Sequence, residues 1–174
     1  MPFKKPIVGT AIAALAAILF TTTPATAFTV DLSNPAFAEV TGPTSIPVGH
    51  SEFCRIHADE CGAHDSIVDV TVLSPDHWQQ LVDINNHFNS AIIPMTDQDY
   101  YQVAEFWTYP DRYGDCEDIA LAKRRELIAH GWDPSTLLMA VVREANGNGH
   151  AVLMVRTDRG DLILDNQVGA IKVW

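Results

Sequence analysis

Two turn signals near the end of the chain constrain its fold most. Asn146-Gly147-Asn148-Gly149 and Asp158-Arg159-Gly160 cut the last stretch into three runs of strand length: Leu137 to Arg143, His150 to Thr157 and Asp161 to Asp165. Asn-Gly and Asp-x-Gly sequences supply the positive backbone angles that tight hairpins require, so these runs read as an antiparallel meander. Helical segments precede it. Ser74-Pro75-Asp76 opens the first: Ser caps, Pro suits the first helical position and Asp meets the positive end of the dipole. Trp78, Leu81, Val82, Phe88 and Ile92 then share a face, which predicts a helix to about Ser90, ended by Pro94. Gly114-Asp115 opens a second helix, with Asp115 as cap and Asp118 completing a capping-box-like pair, and His130-Gly131 stops it. Helices followed by an antiparallel sheet make an α+β fold.

The remaining segments are less regular. Ile67 to Leu73 alternates apolar and polar residues and predicts a short strand. Residues 28–66, rich in Pro, Gly, Ser and Thr, read as an irregular arm with a short helix near the cysteines. Asp97 to Tyr113 reads as loop with a short helix. The expected organisation is a leader over 1–27, the arm over 28–66 and a catalytic domain over 67–174.

The leader is a secretory signal peptide by its pattern. Lys4 and Lys5 precede an apolar run of 14 residues, Ile7 to Phe20, and Ala25-Thr26-Ala27 offers a cleavage site, with Ala36-Phe37-Ala38 as a weaker one. The run is short for a membrane span of roughly 20 residues. The expected location is periplasmic or secreted. Of 11 basic residues Lys4 and Lys5 lie in the leader, which leaves nine against 22 acidic ones. Such a surface repels phosphate backbones and excludes nucleic acid as a partner, while suiting divalent cations.

Export bears on the three cysteines, because disulfides persist in oxidising compartments. Cys54 and Cys61, seven apart, form either a local disulfide or a metal pair with His57; no second Cys/His pair at zinc spacing follows, which favours the disulfide. Cys116 is left over, at the first turn of a helix, where free N–H groups and the dipole stabilise a thiolate. Asp115, Glu117 and Asp118 oppose that charge, so a cationic imidazole or a metal ion is needed to restore the balance. His150, at the start of the second strand, is the natural base, and Asp165, ending the third, can orient it. With Asp158 and Arg159 at the centre of the turn, Asp165 falls opposite Val152 and His150 is its diagonal neighbour on the same face. A three-residue loop would put them on opposite faces. Each residue alone is commonly structural; their order, with one spare thiol in an exported chain, points to a Cys-His-Asp nucleophilic enzyme.

These residues also carry a family resemblance. Tyr113-Gly114-Asp115-Cys116-Glu117-Asp118 with Leu121-Ala122-Lys123-Arg124, Gly149-His150-Ala151-Val152, and Leu164-Asp165-Asn166 resemble the conserved blocks of the bacterial transglutaminase-like cysteine proteinases. The resemblance covers about residues 50–174. It implies a papain/transglutaminase-like fold with Cys116 as nucleophile, His150 as general base and acid, and Asp165 as the orienting residue. It further implies an exported endopeptidase that needs calcium and releases large surface adhesins, with Asp115, Glu117 and Asp118 as ligands of the ion. By analogy with transglutaminases, Trp107 lines the site or donates its indole N–H to the oxyanion. Expected partners are a protein substrate of the adhesin kind and a regulatory membrane receptor. Relatives usually continue through a further strand beyond the position of Trp174, so an open sheet edge and a weaker core beside the Asp165 strand are expected. The competing readings are transamidation on the same triad and a silent calcium- or adhesin-binding module.

Overall fold

The computed structural model describes Met1, residues 30–62 and residues 67–174. The predicted leader falls almost wholly outside these residues. Among the described residues no helix is long and apolar enough to cross a membrane.

A four-stranded antiparallel sheet of order β3-β4-β5-β6 forms one layer, with β3 Leu137–Arg143, β4 Gly149–Thr157, β5 Gly160–Leu164 and β6 Lys172–Val173. Helix α3, Pro75–Ala91, and helix α5, Cys116–Ala129, pack on each other, and α5 lies on β4 and β3. Leu81 and Ile84 of α3, Ala120 and Leu127 of α5, and Leu153, Val155, Leu162 and Leu164 of the sheet share one buried cluster. Burial of that apolar surface holds the two layers together. The start of α3 is the expected one, since the Ser74 hydroxyl accepts the His77 N–H at 3.1 Å. Its inner face also carries Asn85, fully buried, whose side chain donates to the Gly169 carbonyl at 3.0 Å and ties the helix to the loop after β5.

The β4–β5 turn settles the register. Thr157 pairs with Gly160 and Leu153 with Leu164, leaving Asp158 and Arg159 as a two-residue loop. Gly160 takes φ +111°, which suits glycine there. Asp165 therefore follows opposite the Val152 position.

Three segments differ from expectation. Ile67 to Leu73 is not a strand; its ladder contact is one parallel bridge, Thr71 to Thr157. β3 begins opposite Val155, so the last residues of β4 are open on that side, and Thr71 uses them before the chain turns into α3. β6, unanticipated, pairs with Leu162 and Ile163 and covers part of the outer side of β5. A further two-stranded parallel pair joins β1, Ile93–Pro94, to β2, Tyr113–Gly114, just before α5.

The described part of the arm packs against the body. Asp161, fully buried, accepts the Ala38 N–H at 2.8 Å, and its own N–H donates to Ala36. Helix α1, Val48–Ile56, buries Phe53 beside Trp107 and Leu121, and the Cys54–Cys61 disulfide ties it to α2, Ala58–Cys61. The imidazole beside the two sulfurs is that of His50 rather than His57.

Candidate active site

Cys116 is the first residue of α5. Asp115 precedes it in extended conformation, but its side chain makes no capping bond. Asp115 Oδ2 instead accepts the Asp97 N–H at 3.3 Å. The Cys116 thiol donates to Glu117 Oε2 at 3.1 Å, and Sγ accepts the N–H of Ala151 at 3.4 Å. That second contact brings the start of α5 against the start of β4, directly beside His150.

His150 is buried, and its Nε2 lies 2.9 Å from Asp165 Oδ1. Its other ring nitrogen, Nδ1, is 3.4 Å from the Gln167 amide nitrogen. Asp165 Oδ1 also accepts the Gln167 N–H at 2.8 Å, and Asn89 donates to the Asp165 carbonyl at 2.8 Å. The carboxylate is thus held from its own loop and its backbone from α3. The two-residue turn puts Asp165 on the His150 face, and the hydrogen bond closes that geometry.

The cleft opens on both sides of this pair. One depression of about 550 Å³ is walled by Pro47, Val48, Asp97, Trp107 and Val141; the other, of about 620 Å³, by Pro94, Met95, Asp99, Asn166 and Gln167. Both include Asp115, Cys116, Gly149 and His150. A polypeptide chain laid across it would pass over the thiol and the imidazole.

Electrostatics at the helix start are strained toward protonation. Burial pushes the Cys116 thiol up to about 12, with Glu117 and Asp115 adding to the effect and the Ala151 N–H opposing it. Burial likewise raises Asp115 and Asp118 to about 7 and Asp97 to about 6, and raises Glu117. Carboxylate oxygens of Asp97, Asp115 and Glu117 lie within 4.8 Å of one another. Buried Asp115 Oδ1 has no hydrogen-bond partner among the described residues. No described Lys or Arg forms an ion pair with these three acids. An all-oxygen donor set with an orphaned buried oxygen and uncompensated negative charge fits a hard divalent cation such as Ca²⁺.

The sequence-predicted site residues are distributed unevenly. Cys116, His150, Asp115 and Glu117 share the cleft, and Asp165 is bonded to His150. Asp118 is fully buried and turned aside, accepting the Thr108 N–H at 2.8 Å. Trp107 does line the cleft, but its indole N–H donates to Glu105 at 3.1 Å. Asp97 is the residue that sequence reading missed. The β1–β2 pairing carries it to Asp115 across 18 positions, and the one local signal was the Thr96 cap of α4, Asp97–Tyr100.

A cysteine at the start of a helix, with its sulfur against the strand residue next to a histidine, in a mixed helix and sheet fold, fits a transglutaminase-like family. Residues 40–174 match the family model of the bacterial transglutaminase-like cysteine proteinases, and the chain belongs to that family. Among solved structures it is similar to LapG of Legionella pneumophila. The calcium-bound form is 27% identical with a TM-score of 0.49, the match covering 59% of this chain and 60% of that one. The EGTA-treated form is 28% identical with a TM-score of 0.49, covering 59% and 58%. The match therefore spans less than two thirds of either Legionella chain. No match is found among curated protein sequences.

Proposed function

We propose that the chain is an exported cysteine endopeptidase in which Cys116 is the nucleophile, His150 the general base and acid, and Asp165 the orienting residue. The observation that carries the reading is the junction of α5 and β4: Cys116 Sγ receives the N–H of the residue next to His150, whose imidazole is in turn bound to Asp165. With Nε2 engaged by the carboxylate, Nδ1 would exchange the proton with the thiol, in place of its 3.4 Å contact with the Gln167 amide nitrogen. Sγ attacks a peptide carbonyl as its proton passes to His150; the imidazolium then protonates the leaving amine as the C–N bond breaks. Water, deprotonated by His150, hydrolyses the thioester, and the thiol regains its proton.

Asp97, Asp115 and Glu117 would hold a calcium ion, whose positive charge supplies the compensation that the helix start lacks. Their burial keeps water from screening that charge, and Glu117 then has a partner other than the Cys116 thiol. Export is supported by the leader pattern and by the Cys54–Cys61 disulfide, which suits an oxidising compartment. A protein substrate follows from the family and from the two-sided cleft; a surface adhesin is the substrate we favour, with a regulatory membrane receptor upstream.

Alkylation by iodoacetamide in the presence of calcium tests the assignment. Cys116 should react faster than free cysteine at neutral pH, with the excess lost in His150→Ala. A rate equal to that of free cysteine, unaltered in the variant, would leave a passive binding module. Mass analysis of a candidate adhesin separates hydrolysis from amine incorporation.

A further inference from the structure

The segment at the start of α1 lies more than fifty positions before Cys116, yet it forms one wall of the cleft. Pro47 and Val48 line the depression that contains Cys116, Trp107 and His150. The position of this wall is set by packing. Gly49 lies so close to the Trp107 indole that a Cβ there would stand 2.3 Å from Cδ1. One turn on, Phe53 is buried against the same indole and Leu121, and the Cys54–Cys61 bridge closes the far end of the helix. Tyr109 donates to Glu60 of α2 from the segment that carries Trp107.

So firm a base makes the state of Val48 notable: the residue is 65% exposed. A second aliphatic residue, Val141 of β3, is 54% exposed and lines the same depression. Val141 pairs with Ala151, the residue whose N–H meets Cys116 Sγ, so it stands one strand away from the thiol. β3 is the terminal strand of the sheet order, with its outer side unpaired among the described residues. Two exposed aliphatic groups on rigid supports, at the rim of a cleft that holds a reactive group, are placed to grip a substrate side chain.

We propose that Val48 is a specificity-determining residue: with Val141 it bounds the space for one substrate side chain beside the scissile bond, so the α1 arm is part of the substrate-binding apparatus. The inference rests on the endopeptidase reading. Its consequence is a division of labour. The bulk of Val48 governs which peptides are cut, while the reactivity of Cys116 toward a small reagent is independent of it.

The test uses the full chain in calcium, with Val48→Ala and Val48→Trp beside the wild type. Each protein is offered a proteome-derived peptide library, and the cut sites are read by mass spectrometry. Val48→Ala should admit larger side chains at one position flanking the cut, and Val48→Trp should exclude all but the smallest there. The preference should change by about tenfold, an amount reached by one or two methylenes in an apolar pocket. The iodoacetamide rate at Cys116 should stay within about twofold of wild type, since a side chain outside the proton-transfer contacts should leave general-base activation intact. Cleavage with identical preferences in all three proteins overturns this inference and leaves the peptidase reading intact. A wild type that cuts nothing, with a Cys116 no faster than free cysteine, overturns that reading and this inference with it.

Discussion

Replacing Lys123 with methionine should stabilise the fold at neutral pH, although it removes the largest fully buried side chain in the described structure. Lys123 lies on α5 two turns below Cys116, is 0% exposed, and its Nζ has no hydrogen-bond partner among the described residues. Burial lowers its pKa from 10.5 to about 7, opposed by the charge of Asp165. The unfolded chain keeps this proton up to about 10.5, whereas the folded chain releases it near 7. Between those values the unfolded state binds more protons, so the wild type gains stability as pH rises from about 7 and stops gaining near 10.5. At 1.36 kcal/mol per pKa unit the deficit at pH 7 is at most about 5 kcal/mol. Methionine has similar reach and no charge, and removing a buried ion in this way commonly returns about 1–4 kcal/mol. Urea unfolding followed by tryptophan fluorescence at pH 7, 8, 9 and 10 measures both effects. Lys123→Met should be the more stable protein at pH 7, and its advantage should shrink steadily toward pH 10. Cys116 is common to both proteins, so its own titration cancels in the difference. A variant less stable at pH 7, or an advantage independent of pH, would refute the reasoning.

Three further outcomes follow from the site. Calcium should raise the melting temperature, by an amount equivalent to about 2.7 kcal/mol at a hundredfold excess over Kd, and Asp97→Asn should abolish the response in a thermal-shift titration with EGTA as the blank. Gly49→Ala places a methyl group against the Trp107 ring and should cost about 1–3 kcal/mol in chemical denaturation, because indole and helix are both packed too tightly to yield. Asp165→Asn should leave the melting temperature nearly unchanged and lower peptide turnover by up to about 10⁴-fold, since an amide no longer fixes the imidazole tautomer; a variant with wild-type turnover would remove Asp165 from the mechanism.

What could be read from the chain, and what could not, divides by the range of the interaction. The turn at Asp158-Arg159, the Ser74 cap and the helix opening at Cys116 are local chemistry, and each is found where its residues imply. Ile67 to Leu73 has the alternation of a strand but only two open positions on β4 to pair with, because a strand is a relation between segments rather than a property of one. The acids show the same limit. Asp115, Glu117 and Asp118 are neighbours in sequence, but Asp115 is an extended residue before the helix, and Glu117 and Asp118, about 100° apart on α5, point to different sides. Asp118 turns to the Thr108 amide, and its place beside the other two is taken by Asp97, delivered by a two-residue parallel pairing that leaves no pattern to detect. Lys123 was readable in principle, since it falls between Ala120 and Leu127 on the buried face of α5.

These positions have a common energetic consequence. Along α5 the chain buries two acids, Glu117 and Asp118, at the N-terminal end and one lysine two turns on, and among the described residues none of the three is in an ion pair. A fold selected for stability alone would replace them with apolar residues, because buried charge without a partner costs several kcal/mol. In the proposed mechanism these charges act on the thiol and the imidazole. Binding of a cation by the acids would then both stabilise the protein and lower the barrier to thiolate formation, so that stability and reactivity should rise together as calcium is added.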